Sequence, residues 1–586
     1  MKFPYGIADF YSLIKEGYFF QDRSDKIPVL EDAGKQLLFI RPRRFGKSLL
    51  LSMLENYYDI NKADEFESLF GKLAIGKNPT PTHNQYFVMS WDFSLINAGG
   101  DVNVLEAKIH QYINDSIQEF SIKYQTQLPL SIDINLSNSI SSFQSLLTAI
   151  SQTPFKLYLL IDEYDNFAND VMMARKTDYE ALLYGEGLLK TAFKAIKSGA
   201  TKGGIARVFI TGVSPIVMSD MTSGYNVATN IYQDEEFNDL CGFSESEIKA
   251  ILDKLIPDTS QVEVTLNLMK TFYNGYSFSN YAPESVYNPT LSLYFLRYFQ
   301  KHQSYPNNML DENLAMDRNK LLYISKLAHG EEILLNAVSE ESPIILRELV
   351  QRFGVEDVVN GVKDKVFMGS LLYYFGILTL DGRTAYNECI LKIPNLVAKK
   401  LYIEQLQDLF LPEYEDKESI RSVSKTFCQT GNLQPLVDFL EQRFFKVMSN
   451  RDYRWHNEHA IKIAFMTLLF NDNLYMMISE TEVNRRYIDI SMILRPDMRK
   501  YEALDLILEF KYLDLKDLNL TGVELQKMTR EQLMKLPMVN KRLLEAEEQA
   551  RDYAADLLQR FGELRLHCFA VVALGLERVV WSEVDA

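Results

Sequence analysis

The chain has 586 residues, 47% of them hydrophobic and 24% charged, which is globular rather than disordered or fibrous usage. At roughly 100–200 residues per domain this length allows three or four folding units. The 79 acidic against 62 basic side chains give a formal charge of −17. That surplus repels nucleic acid at long range and confines any nucleic-acid site to a local basic patch.

Cys241, Cys389, Cys428 and Cys568 are far apart, with neither CxxC pairing nor zinc spacing, and read as buried free thiols in a reducing compartment. Met1–Gly6 shows no charged region leading into an apolar run. No apolar stretch approaches the ~18–20 residues of a membrane span. A cytoplasmic location without a membrane partner is the expectation.

Residues 1–240 alternate short apolar runs with helical stretches. Gln36–Ile40, Tyr86–Met89, Lys156–Ile161 and Arg207–Ile210 read as buried strands, and Ser48–Tyr58 and Val104–Lys123 read as helices. This alternation predicts an α/β domain with a mostly parallel sheet. From 241 to 445 the pattern is mainly helical, opening with a capped helix at Ser244–Ile256, and predicts a lid or linker domain. From 446 to 586 strands return, at Arg486–Leu494 and Leu504–Lys511. A helix around Glu545–Phe561 and a strand at Leu566–Leu574 follow, predicting a second α/β domain.

The first chemical site is at residues 36–58, where a buried strand runs into Gly46-Lys47-Ser48 and then a helix. Strand–GK[ST]–helix is the context of a phosphate-binding P-loop. Lys47 would reach the β- and γ-phosphates, Ser48 would hold Mg²⁺, and backbone N–H groups of Arg43, Arg44, Phe45 and Gly46 would line the phosphates. The general pattern GxxxxGK[ST] asks for Gly where this chain has Arg41. Leu157–Asp165 then supplies an apolar strand ending in acids. Asp162 would hold the water shell of Mg²⁺, and Glu163 would orient or deprotonate the attacking water. Thr211, at the end of the strand Arg207–Ile210, is a candidate γ-phosphate sensor, and a simple strand-ending turn is the alternative.

RPRRFGKS, LIDEYD and FITGVSP together resemble the bacterial AAA-ATPase-like family that is often joined to a PD-(D/E)xK nuclease domain. The resemblance extends to Gly17–Ser24, Phe272–Phe278 (FYNGYSF), Val286–Pro289 (VYNP), Phe375–Thr379 (FGILT) and Ile393–Asn395. It implies an N-terminal P-loop NTPase with a parallel sheet that binds ATP and Mg²⁺, a helical middle region and a C-terminal α/β nuclease-like fold. In that family Arg-Pro-Arg-Arg replaces the Gly-led loop, so Arg41 fits it.

The second site is LDLILEFK, residues 504–511. Strand alternation puts Glu509 and Lys511 on one face. Asp489 stands on an upstream strand, 20 positions before Glu509, which a hairpin through Arg495-Pro496-Asp497 can close. Two carboxylates that hold Mg²⁺ or Mn²⁺ beside a lysine are what phosphodiester hydrolysis requires. The set resembles the PD-(D/E)xK core. Glu458, Glu480 and Glu482 are further candidate metal-site acids. Gln549 and Tyr553 resemble the family's Gln-x-x-x-Tyr helix. Arg485-Arg486 stands where the family has Gly-Arg. His456 and His459 have helical spacing but no evident third ligand. Lys516, Lys527, Arg530, Lys535, Lys541 and Arg542 form either a DNA-facing patch or a solvated helical face, the second being favoured.

The function this predicts is an ATP-binding and ATP-hydrolysing protein whose nucleotide state controls a metal-dependent DNA or RNA nuclease, as mobile-element or phage defence would use. The rival is an ATP-driven switch or scaffold with a degenerate nuclease fold, which suits the acidic surface. AAA-type domains often assemble, so a homo-oligomer is a further expectation.

Overall fold

Gln36–Ile40 (β1) is buried along nearly its whole length, as a strand covered on both faces must be. In the computed structural model it joins a five-stranded sheet with Tyr86–Asp92 (β2), Lys156–Asp162 (β3), Ile205–Gly212 (β4) and Thr229–Asn230 (β5). The order is β2-β3-β4-β1-β5, and every pairing is parallel. Lys47–Tyr58 (α1) follows β1, while Val102–Lys123 (α2), Ser139–Ser151 (α3) and Leu188–Thr201 (α4) flank the later strands. The structure describes residues 1–96, 102–166, 188–215, 227–310, 318–339, 343–351, 363–411, 413–449, 457–478, 481–483 and 486–585.

The chain divides into two compact units. The first holds residues 1–251 together with 274–300 and 345–391, and the second holds 252–273, 301–344 and 392–586. The stretch 241–445, read from sequence as one lid or linker, thus contributes to both. Its share of the first unit includes the helices Pro289–His302 (α5) and Lys365–Tyr374 (α6). It also supplies most of a small sheet formed by Ile344–Leu346 (β6), Thr379–Arg383 (β7) and Cys389–Lys392 (β8).

The second unit is helical up to Glu458–Leu469 (α7), and a mixed sheet follows. Its strands are Tyr475–Ile478 (β9), Ile490–Leu494 (β12), Asp505–Leu513 (β13), Leu566–Leu574 (β14) and Arg578–Val584 (β15), in the order β15-β14-β13-β12-β9. Thr481–Val483 (β10) and Arg486–Ile488 (β11) pair separately. The run Arg486–Leu494, expected as one strand, is broken at Asp489 into β11 and β12. β12 and β13 are antiparallel, whereas β13 and β14 are parallel. A parallel pair needs a crossover, and Pro537–Phe561 (α8) supplies it, packed on both strands. The long stretch before α8 is three short helices, two of which open with capping boxes at Thr521/Glu524 and Thr529/Gln532. No described helix is long and apolar enough to cross a membrane.

Candidate active sites

Arg41, at the exit of β1, is 1% exposed. Its guanidinium donates to the carbonyls of Ile40 (2.8 Å), Tyr232 (2.7 Å) and Phe237 (2.6 Å) and lies over the rings of Phe39 and Phe278. Burial pulls its pKa down to about 10, so it stays cationic at neutral pH. Where the general P-loop keeps a flexible glycine, this chain has a buried strut that ties the loop to the segment after β5.

The loop then turns through two left-handed residues, Arg44 (φ 67°) and Gly46 (φ 91°). Gly46 is the N-cap of α1, and a side chain there would be strained. Arg43 donates to Asn166 Oδ1 at 3.2 Å. Phe45 is buried edge-on against Tyr276 and Phe278, with ring centroids 4.9 and 5.3 Å away. The Thr290 hydroxyl donates to the Arg44 carbonyl at 2.7 Å. A Cβ on Gly376 (φ 73°) would come within 2.7 Å of Pro42 Cγ. Thr379 Oγ1 accepts from Ser277 N (2.7 Å) and donates to Ser277 O (3.0 Å). FYNGYSF and FGILT, with Thr290 just beyond VYNP, therefore gather around the P-loop although they lie far along the chain.

Lys47 is the first residue of α1 and is 4% exposed. Its Nζ donates to the carbonyls of Arg41 (3.1 Å) and Pro42 (3.2 Å) and stands 3.6 Å from Glu163 Oε1. Ser48 Oγ donates to Asp162 Oδ2 at 2.6 Å. The first N–H groups of a helix have no partner within it, so they and its dipole favour an anion at this point.

Asp162 Oδ1 also accepts from the backbone N–H of Glu163 at 2.9 Å and from the Thr211 hydroxyl. Thr211, a candidate γ-phosphate sensor, is thus fully buried with its hydroxyl on Asp162, because β4 lies beside β3. Glu163 has φ 51°, an unusual conformation for a non-glycine residue and one that concentrates at functional sites. Its Oε2 is buried without a hydrogen-bond partner. Burial raises its pKa, Lys47 opposes that, and Asp165 and Asp162 add to it. Asp165 is fully buried and accepts from Val213 N (3.0 Å), Ser214 N (2.8 Å) and Ser214 Oγ (2.7 Å), joining the exits of β3 and β4. The buried Lys47, the Ser48–Asp162 pair and the orphaned Glu163 oxygen fit a nucleoside triphosphate with its Mg²⁺.

In the second unit, Ile490 pairs with Leu508, so Asp489 stands at the register position opposite Glu509. Asp489 Oδ2 accepts the Phe510 N–H at 2.8 Å. Glu509 is 3% exposed, and its Oε2 is buried without a hydrogen-bond partner. Burial pushes Glu509 up to about 8, Asp489 adds to the rise, and Lys511 opposes it. Lys511 Nζ lies 3.0 Å from Glu509 Oε1 and 3.6 Å from Glu458 Oε1. Burial lowers its pKa, but the carboxylates of Glu509, Glu458 and Asp489 outweigh burial and raise it. Lys462 Nζ, from α7, stands 3.9 Å from Asp489 Oδ1. Two juxtaposed carboxylates, one with an orphaned buried oxygen, are hard oxygen donors that fit a divalent ion.

Glu480 lies outside the described residues, as do His456 and Arg485, and only the backbone of Glu482, on β10, is described. Gln549 and Tyr553 stand one turn apart on α8, with Gln549 Oε1 buried and unpartnered. Among the described residues, no group of three or more His, Cys, Asp or Glu is arranged to hold a metal ion. Arg530 pairs with Asp438 (2.9 Å) and Glu441 (3.2 Å), while Lys541 and Arg542 pair with Glu545. The basic stretch is therefore partly neutralised by its own neighbours. Sequence reasoning missed Asp165, Thr290 and Lys462. A signal existed for Lys462, a lone lysine in an otherwise apolar helix one turn after Glu458.

A P-loop entering a helix from a parallel sheet of this order, facing Asp-Glu at the end of β3, defines a domain of the P-loop NTPase fold. The mixed sheet carrying Asp489 and Glu-x-Lys defines a nuclease-type α/β domain. Residues 4–222 match the model of the predicted AAA-ATPase family, and residues 456–583 match that of the PD-(D/E)XK nuclease superfamily. The chain thus carries an AAA-ATPase-like domain at its N-terminus and a PD-(D/E)XK nuclease-superfamily domain at its C-terminus. A protein of Azotobacter chroococcum mcd 1, described as an uncharacterized protein in the vnfD 5′ region, is 24% identical over 477 residues, covering 78% of this chain and 80% of its own. Two structures from Aeropyrum pernix are also similar. ORC1 in complex with DNA is 10% identical, covers 68% of this chain and 97% of its own, and has a TM-score of 0.26. The ORC2 protein in ADPNP–ADP complexes is 11% identical, covers 69% and 94%, and has a TM-score of 0.30.

Proposed function

We propose that the protein binds and hydrolyses ATP in its N-terminal domain, and that this nucleotide state controls a metal-dependent phosphodiesterase acting on DNA or RNA in its C-terminal domain. The observation that carries the reading is the pairing of Asp489 with Glu509 beside Lys511, with one Glu509 oxygen buried and unpartnered.

In the N-terminal site, Lys47 leaves the loop carbonyls for the β- and γ-phosphates, and Ser48 and Asp162 would hold the accompanying Mg²⁺, which supplies charge stabilisation at the phosphate oxygens. Glu163 Oε2 takes the proton of the attacking water as the water oxygen bonds to the γ-phosphorus and the bond from the γ-phosphorus to the bridging oxygen breaks, the bridging oxygen leaving on the nucleoside diphosphate. Lys47 and Glu163 are 3.6 Å apart, so phosphate that draws Lys47 away releases Glu163 for this task.

In the C-terminal site, Asp489 and Glu509 would hold Mg²⁺ or Mn²⁺, which supplies charge stabilisation at the phosphate oxygens. Lys511 holds a proton and a positive charge beside Glu509, where it orients the attacking water. Thr290 on Arg44, and Tyr276 and Phe278 on Phe45, are the contacts by which we propose that segments of the first unit respond to the nucleotide state. Residues 1–240, 241–445 and 446–586 remain the functional division we propose, with assembly into a homo-oligomer and a cytoplasmic location.

The alternative, an ATP-driven switch with a non-cleaving nuclease fold, is favoured by the acidic charge. Plasmid DNA, single-stranded DNA and RNA incubated with the purified chain, each with and without ATP and Mg²⁺ or Mn²⁺, separate the two. Cleavage that needs both the metal and Asp489 supports the nuclease. ATP turnover with no cleavage of any substrate supports the switch.

A further inference from the structure

Glu163 holds its left-handed backbone between neighbours that are fastened to the exit of β4. Before it, Asp162 Oδ1 accepts the Thr211 hydroxyl. After it, the Tyr164 N–H donates to the Thr211 carbonyl at 3.1 Å, and the Tyr164 hydroxyl donates to the Ser214 carbonyl at 2.6 Å. Asp165 is fully buried and divides its carboxylate between two residues beyond β4. Its Oδ1 accepts from Val213 N at 3.0 Å, and its Oδ2 accepts from Ser214 N at 2.8 Å and Ser214 Oγ at 2.7 Å. Gly212 is the point of closest approach, where a Cβ would stand 2.5 Å from Asp165 Oδ1 and from Tyr164 Cδ1. A strained conformation persists only where its surroundings over-determine it, and the residues around Glu163 are pinned in this way.

We propose that Asp165 is a positioning residue for Glu163, its carboxylate pinning the turn after β3 to the exit of β4 so that Glu163 stays left-handed and faces Lys47. The proposal rests on the reading of Glu163 as the group that takes the proton of the attacking water. Asp162 fixes the strand end before Glu163. A return of φ to its ordinary negative range would therefore carry the Glu163 Cβ around the N–Cα axis and redirect the carboxylate that now stands 3.6 Å from Lys47 Nζ. Asp165 lies behind this turn, with its side chain on backbone N–H groups and the Ser214 hydroxyl, so it acts through Glu163 rather than on the nucleotide. Asparagine at this position keeps the shape but offers a single acceptor oxygen, so either Val213 or Ser214 would meet an amide donor.

Variants of the full chain test the idea, with turnover read as phosphate release under saturating ATP and Mg²⁺, and ATP affinity read by calorimetry. Asp165→Asn should lower turnover at least about tenfold, as a misplaced catalytic group does, while ATP affinity stays within about twofold of wild type. In a Glu163→Gln chain the same substitution should cost less than about twofold more, because the group it positions has already gone. Ser214→Ala removes one donor to Asp165 and keeps both backbone donors, so it should slow turnover by a smaller factor, about two- to fivefold. A crystal structure of Asp165→Asn should show Glu163 outside the left-handed region. Unchanged turnover in Asp165→Asn, or an unchanged Glu163 φ, would overturn the proposal. So would a parallel fall in ATP affinity, or losses that multiply in the double variant, since a merely structural carboxylate predicts both. Should Asp165→Asn fail to fold, Ser214→Ala in the wild-type and Glu163→Gln chains decides the question by the same comparison. Wild-type turnover in Glu163→Gln would instead overturn the reading of Glu163 itself.

Discussion

The hydroxyl of Thr290 donates to the carbonyl of Arg44 across 246 positions of sequence, at 2.7 Å. Arg44 is one of the left-handed residues of the phosphate loop, so a residue far outside the N-terminal α/β segment helps hold that loop in shape. Thr290→Val removes one hydrogen bond worth about 0.5–1.5 kcal/mol. It should weaken ATP binding by roughly two- to tenfold, and Thr290→Ser should restore it. Calorimetric titration with ATP and Mg²⁺ measures this, and equal affinities in all three proteins would show that the contact does not support the loop.

Lys47→Ala should abolish nucleotide binding, and Glu163→Gln should keep ATP bound while slowing its hydrolysis. A lost general base costs on the order of 10²-fold or more. Phosphate release under saturating ATP measures the second effect. If Asp162→Asn rather than Glu163→Gln gave tight binding with slow turnover, the two acids would have to exchange roles.

Asp489→Ala and Glu509→Ala should each remove nucleic-acid cleavage while ATP hydrolysis persists, because the ATP site belongs to the other unit. Lys511→Ala should remove cleavage with less loss of metal binding, since an ammonium group is not a ligand. Parallel assays of cleavage, ATP turnover and Mn²⁺ binding on one preparation of each variant check this. A Glu509→Ala chain that still cut nucleic acid would place the chemistry elsewhere.

The raised pKa of Glu509 has a signed consequence for stability. Its carboxyl is pushed up to about 8 in the fold and is near 4.3 when unfolded. Between those values the folded state holds the proton more tightly, so its stabilising share is complete below about pH 4.3 and is lost as pH rises toward 8. With a chelator present, Glu509→Gln should flatten this decline and be more stable than wild type at pH 9, by up to a few kcal/mol. Adding Mn²⁺ at pH 9 should stabilise wild type and leave Glu509→Gln nearly unchanged. Parallel pH profiles of wild type and variant would contradict the assignment.

The strands of the first sheet were legible because buried parallel strands read as short apolar runs. Gln36–Ile40 and Lys156–Asp162 emerge within one residue of their reading. GKS and the acids after β3 were legible because phosphate and Mg²⁺ demand particular residue types at fixed offsets from a strand end. Glu509 and Lys511 were legible because strand alternation is local, and the Asp489–Glu509 pairing followed from a closable hairpin. Arg41 was visible as a departure, but its role was not, since a buried guanidinium is defined by the Tyr232 and Phe237 carbonyls it meets across the fold. The same holds for Thr290 on Arg44, Thr211 on Asp162 and Lys462 beside Asp489. Hydrogen-bond and ion-pair partners separated by tens to hundreds of positions leave no periodic trace. Sequence by itself determined which residues are the candidates for the phosphate and metal chemistry. Only the tertiary structure decided which side chains hold them in place, because that depends on which strand ends and helix faces the packed core brings within about 3–4 Å.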